Sequence, residues 1–268
     1  LQLLDERLIG SSSTTGQPRH TIRYRLQPVG GVPGSDFYLY NGHWKSADDV
    51  DSRNRRLLEA QAIRSDADLL AEGSNILYVG DFNVYSGSEA AFQQIIGAGS
   101  GQAFDPLDRI GAWSNTASYL DTFTQAPSAA PPSGLTGGGL DDRFDFQLMS
   151  GELFDGRGLE YRSGTYHAFG NNGSVAMNNS INDPSSTALA NLFDRSAVLD
   201  LLTTVTDHLP VVADTTFIVD ALINHAPAGG DTTVTTNENQ TYTFVLSDFA
   251  FSDPHDSPPD TIDAVKVT

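Results

Sequence analysis

Four short apolar runs, residues 37–40, 76–79, 144–149 and 209–212, each adjoin or contain polar residues able to do chemistry. Their length and their β-branched and aromatic content predict strands. Between the first two, residues 50–70 read as a helix, with Arg55/Glu59 and Arg64/Asp68 at the i,i+4 spacing that lets opposite charges meet. Ser88 is placed to cap a second helix running to Ile96, with Ala91, Phe92, Ile95 and Ile96 on one face. Strands interleaved with helices predict a mixed α/β domain. Residues 126–139, rich in Pro and Gly, and 171–186, rich in Asn and Ser, read as loops.

Composition narrows the chemistry. Hydrophobic residues make up 39% of the 268, enough for a packed core. The chain has no cysteine, which excludes disulfides, thiolate metal sites and a thiol nucleophile. Its formal charge is −19, and Lys45 and Lys266 are its only lysines. That balance argues against bulk capture of nucleic acid by a basic face. Arg53, Arg55, Arg56 and Arg64 form at most a local patch, and a solvated helix face is the simpler reading of them. No stretch is long and apolar enough to span a membrane.

The composition shifts near residue 220. Beyond it stand eight acidic groups, and Lys266 is the one base. Asn224-His225-Ala226-Pro227-Ala228-Gly229-Gly230 has the small, polar texture of a linker. Residues 232–236 and 241–246, rich in Thr, Val and aromatics, predict two strands of a β module. The expected organisation is therefore 1–219 as an α/β domain, 220–231 as a linker and 232–268 as the start of the module. Asp248, Asp253 and Asp256 would suit calcium there; a solvated acidic loop is the alternative.

Four segments carry candidate chemistry. Gly80-Asp81-Phe82-Asn83 follows the second strand, where a rigid element presents side chains. Asp81 could take a proton from water while Asn83 holds it in register; an Asx-turn is the structural alternative. An EF-hand fits poorly, because Tyr85, Ser86 and Phe92 would fall on its fifth, sixth and twelfth positions. Thr206-Asp207-His208 heads the last strand, and imidazole and carboxylate there could meet an oxyanion or a metal. In Arg143-Phe144-Asp145-Phe146, alternation puts Arg143 and Asp145 on one face, either around a histidine or as the wet face of an edge strand. Asn41-Gly42-His43-Trp44-Lys45-Ser46 gathers an amide, an imidazole and a cation, or is simply a strand-to-helix loop.

Taken together and in this order, these segments resemble the endonuclease/exonuclease/phosphatase superfamily, with its DNase I-like fold, over residues 1–219. The tail resembles, less closely, the start of a cadherin-like or Ig-like repeat. The resemblance implies a four-layer α/β sandwich of two mixed β-sheets flanked by helices, incomplete at the N-terminus. Leu1–Gly34 holds neither the Asn nor the metal-binding Glu of the family's first half, so the chain reads as the later part of such a domain. The implied activity is divalent-metal-dependent hydrolysis of phosphodiesters, by Mg²⁺ or Mn²⁺, in a secreted bacterial nuclease with several domains. Phosphatases and phospholipid phosphodiesterases of the same fold are the alternative, and an inactive calcium-dependent adhesion module is a third. Carried over position by position, Asp81 and Asn83 would handle the attacking water. His208, held by Asp145, would stabilise the phosphoryl oxygens. Asp207 would act near the metal, His43 at the phosphate or leaving group, and Asn41 and Lys45 in substrate binding.

Overall fold

A computed structural model describes residues 1–11, 18–30, 35–156, 158–218, 227–253 and 261–262. The chain divides into two compact units, Leu1–Ile218 and Val219–Thr268.

The first unit is built on a six-stranded sheet. Its strands are β1 (Gln2–Ile9), β2 (Thr21–Gln27), β3 (Phe37–His43), β4 (Asn75–Asp81), β5 (Ala103–Phe104) and β6 (Asp145–Ser150), in the order β1-β2-β3-β4-β6-β5. β3 and β4 are parallel and all other neighbours are antiparallel, so the sheet is mixed. A parallel pair needs a long crossover, and α1 (Val50–Ala67) supplies it. Asp49 caps α1, accepting from Ser52 N at 3.0 Å. β1, β2 and β5 carry no signal read in the sequence.

The period of two sorts the sheet's side chains. Tyr40, Ile76, Tyr78, Phe146 and Leu148 point to one face, where they bury Ala60, Ile63 and Ala67 of α1 and Phe92 and Ile95 of α2 (Ala90–Ile96). Phe37, Leu77 and Met149 point to the other, with Leu159, Tyr161 and Tyr166. Those partners come from two short antiparallel pairs and the turn between them: β7 (Gly158–Tyr161) with β10 (Thr215–Ile218), and β8 (His167–Ala168) with β9 (Val211–Val212). The α/β class holds, with helices on one face of a large mixed sheet and strands on the other. A third helix, α3 (Arg195–Thr204), adds Leu199 to the first core and leads into Thr206–His208.

Several local expectations are corrected. Arg55 pairs with Asp51 at 2.7 Å, because Glu59 turns inward to accept from the backbone of Arg19 and Lys45. The arginines of α1 form no basic patch. Arg56 is fully buried on Glu89 and on the carbonyls of Lys45 and Ala47. Arg64 closes the end of α2, donating to Gln94 O, Ile95 O and Gly97 O, each at 2.8 Å. Arg53 is spent on Asp48. Ser88 does not cap α2, whose N-cap is Glu89. Arg143 is not on a wet edge: β6 lies between β4 and β5, and Arg143 is buried against Asp105.

Gly80 and Gly42 are paired across β3 and β4. Gly80 has φ +128°, and a Cβ there would stand 1.9 Å from Gly42 O. Gly80→Ala is expected to cost on the order of 3 kcal/mol, from backbone strain plus the clash, read as a lower urea midpoint at unchanged m.

The second unit, over its described residues, holds one isolated bridge, Ala228 to Ser252, and a 3₁₀ turn at Leu246–Asp248. The runs 232–236 and 241–246 form no ladder. Tyr242, Phe244, Val245 and Leu246 stay exposed, and a two-stranded ribbon with no layer to bury against is unstable. Asp248 accepts from Tyr242 Oη and Val245 N, each at 2.9 Å, which closes a local turn. Asp253 is buried. Asn224–Ala226, Asp256 and Lys266 lie outside the described residues.

Candidate active site

The site lies at one end of the sheet face that carries Phe37, Leu77 and Met149. On β3 that face continues Leu39, Asn41, His43; on β4, Val79, Asp81; on β6, back through Gln147 to Asp145. The register then does the rest. His43 is opposite Asp81, and Asp81 is opposite Asp145. Three strands thus set an imidazole and two carboxylates in one cross-strand row. His43 Nε2 is 3.4 Å from Asp81 Oδ2.

Asp81 is fixed by Asn83, whose backbone N–H and Nδ2 donate to its two oxygens at 2.9 and 2.8 Å. The same Nδ2 reaches Trp44 O at 3.1 Å, which ties the end of β4 to the end of β3. Asn83 adopts φ +49°, a conformation Asn tolerates better than most residues. The Asx-turn is therefore what orients the Asp81 carboxylate.

His208 comes from beyond α3. Its Nδ1 is 2.7 Å from Asp145 Oδ2, and its Nε2 is 3.9 Å from Asp81 Oδ2. Nδ1 donates to Asp145, and Nε2 lies 2.7 Å from Gln125 Nε2. Thr124 brings the two together: its Oγ1 accepts from Asp145 N at 3.2 Å and its carbonyl from Leu209 N at 2.8 Å. Neither Thr124 nor Gln125 carries a signal in the sequence. They lie in an irregular segment whose role exists only once residues 124 and 208 are adjacent.

The other candidates are placed differently. Asn41 is exposed, one register step from the row. Lys45 donates its backbone N–H to Glu59 and Nζ to Ser46 O, away from the row. Asp207 accepts from Thr136 N at 3.0 Å and so binds the 126–139 loop.

Burial, then the nearby charge of Asp145, pushes Asp81 up to about 7, against the pull of His208 and the Asn83 hydrogen bonds. His208 moves the other way from a buried imidazole. Burial lowers it, but the hydrogen bond and charge of Asp145, then Asp81 and Asp207, carry it above its ordinary value. Burial, with Arg19 and His208, holds His43 below the usual imidazole range. The site thus pairs a carboxyl that exchanges a proton near neutrality with an imidazole whose acidic neighbours raise it above its ordinary value.

Asp81, Asp145 and His208 also offer ligand atoms that all lie within 4.8 Å of one another. Two carboxylates and an imidazole suit a divalent cation that takes oxygen and nitrogen, so these three could hold one. Among the described residues no helix is long and apolar enough to cross a membrane.

No family model and no curated protein matches the sequence. Solved structures similar to the chain include a conserved protein of unknown function from Enterococcus faecalis, at 14% identity and TM-score 0.45, over 81% of this chain and 67% of that one. The catalytic domain of human Nocturnin with a bound sulfate anion is similar at 14% and 0.44, over 81% and 60%. A mannosyl-6-phosphatase of Bacteroides thetaiotaomicron is similar at 15% and 0.46, over 81% and 67%. The chain spans about two thirds or less of the length of the first structures it matches.

Proposed function

We infer that this chain is the catalytic part of a divalent-metal-dependent phosphoester hydrolase acting on phosphodiesters, and that its parent is a nuclease working outside the cell. The observation that carries the reading is the row His43–Asp81–Asp145 closed by His208. It sets a proton acceptor, a group able to oppose developing negative charge, and a further imidazole around one point.

Asp81, ionised and held by Asn83, takes the proton of the attacking water. As that oxygen bonds to phosphorus, the bond to the leaving oxygen breaks. His208, oriented by Asp145, donates toward the phosphoryl oxygen on which charge grows, the preorganised stabilisation such reactions need. His43 stands at the rim, where it can hydrogen-bond the phosphate or the departing oxygen. Mg²⁺ or Mn²⁺ would be held by the carboxylate oxygens of Asp81 and Asp145, the donors such cations prefer, and would supply charge neutralisation at the phosphate. Secretion is inferred from the resemblance to secreted bacterial members of the superfamily and from the acidic tail that resembles the start of a cell-surface β module.

Hydrolysis of plasmid DNA and of bis-p-nitrophenyl phosphate, with Mg²⁺ or Mn²⁺ and with chelator, tests this. Metal-dependent cleavage of both, lost in Asp81→Asn, is the expected result. Cleavage of phosphomonoesters only would replace the nuclease with a phosphatase. No cleavage by the full-length parent would sink the enzymatic reading and favour adhesion.

A further inference from the structure

A cavity of about 460 Å³ opens beside Asp145, between the 121–122 segment, the start of β8 and the Asn171-Asn172 turn. It is large enough for a sugar-sized group. Its apolar wall is Leu107, Tyr166, Ala168 and Val211.

The polar atoms it offers are unusual in kind. Asn171 has nothing left to give: its Nδ2 donates to Leu120 O and Phe123 O at 2.7 and 2.9 Å, and its Oδ1 accepts from Gly173 N. Asn172 accepts from Ser174 and donates one N–H to Thr187 Oγ1, which leaves it a single amide N–H. The Thr122 hydroxyl donates to Tyr119 O at 2.7 Å. What remains beside that one N–H is acceptors. His167 places Nδ1 2.7 Å from Thr165 O, so Nδ1 carries the proton and Nε2 presents a lone pair. Asp121 and Asp145 present carboxylate oxygens. Their cations, Arg109 at 2.6 and 2.7 Å and His208 at 2.7 Å, are turned onto the carboxylates and are not among the lining residues.

An acceptor-rich, half-apolar cavity takes a group that brings hydrogen-bond donors and an apolar flank. It repels a phosphate, which ionised is acceptor only. We propose that this cavity receives the uncharged, hydroxyl-bearing ring attached to the scissile phosphate and rejects a second phosphate. The assignment rests on the phosphoester reading above. A nucleoside sugar and a free hexose share the required chemistry.

The test is equilibrium titration of the full chain, with Mg²⁺, against methyl phosphate, glucose 6-phosphate, thymidine 5′-phosphate and thymidine 3′,5′-bisphosphate. At least one ring-bearing monophosphate should bind about tenfold tighter than methyl phosphate, equivalent to about 1.4 kcal/mol. The bisphosphate should bind more weakly than thymidine 5′-phosphate. Leu107→Trp, which fills the cavity, should collapse the ring preference toward unity. His167→Ala, at an exposed position, should reduce it several-fold and covers a folding failure of the first variant. Which monophosphate gains tells the nucleoside from the hexose. Equal binding of ring and methyl probes, tighter binding of the bisphosphate, or a preference indifferent to both variants would overturn the assignment. Hydrolysis of bis-p-nitrophenyl phosphate, measured in parallel, separates the two readings. If it persists without ring preference, the cavity assignment falls alone. If the ring preference holds and the full-length parent does not hydrolyse the diester, the catalytic reading falls and the cavity stands.

Discussion

His208→Ala is expected to lower kcat/KM for bis-p-nitrophenyl phosphate by about 10²–10⁴-fold, the range for losing a positioned acid–base or charge-stabilising group. Far-UV spectrum and thermal midpoint should barely change, because His208 is only half-buried and the backbone of its segment is held by Thr206 Oγ1 and by Thr124 O. Asp145→Asn should be less severe. It keeps an oxygen for Nδ1–H but removes the charge that raises the imidazole. Since Asp145 touches His208 directly at 2.7 Å, the two effects should not add. A double variant much worse than His208→Ala alone would mean that Asp145 acts by another route, for instance as a cation ligand in its own right. An active His208→Ala would remove His208 from the mechanism.

Asp105→Ala is expected to be the most damaging substitution for stability. Arg143 and Asp105 are each 1% exposed and meet through two bonds of 2.7 and 2.8 Å, with the guanidinium over the Phe146 ring. Removing one partner leaves a charge buried without compensation, at a cost of about 3–5 kcal/mol. Replacing both at once, Asp105→Leu with Arg143→Met, should recover most of that loss, because a buried pair is often matched by apolar residues of similar volume. Urea unfolding of the two variants beside the parent checks this. A single variant within 1 kcal/mol of the parent, roughly the value of an exposed pair, would show that the pair is solvated. The same pair makes the domain acid-sensitive. Burial works to raise Asp105, but the Arg143 hydrogen bonds and charge outweigh it and hold the carboxyl below its usual range. Its contribution is thus complete above the ordinary aspartate pKa and is lost as pH falls through the depressed folded value. Stability of the parent should fall in acid more steeply than that of the double apolar variant.

Much of the site was legible because its signals are local. Asp81 and Asn83 sit two apart at a strand end, and that spacing is enough to let an amide hold a carboxylate. Asp145 within an alternating run reads either as a wet edge or as a carboxylate that needs a partner, and His208 is that partner at 2.7 Å. The misreadings share a cause. Arg56, Arg64 and Arg143 look like surface charges in any short window, and each is buried by a partner far along the chain: Glu89, the end of α2, and Asp105. Residues 232–236 and 241–246 form no ladder among the described residues, because strand propensity reports packing against neighbours and does not by itself make a sheet.

The sequence by itself determined the α/β class, the strands that lead to His43 and Asp81 and hold Asp145, and, through the spacing of two, that Asp81 and Asn83 can meet. It could do so because helix and strand periodicity are properties of neighbouring residues. Only the tertiary structure decided that β4 lies between β3 and β6 in the register that lines those three side chains up. It alone decided that His208 reaches Asp145 across 63 residues, with Thr124 and Gln125 holding it there. Those choices depend on which distant segments bury each other's apolar faces, and no local pattern records them.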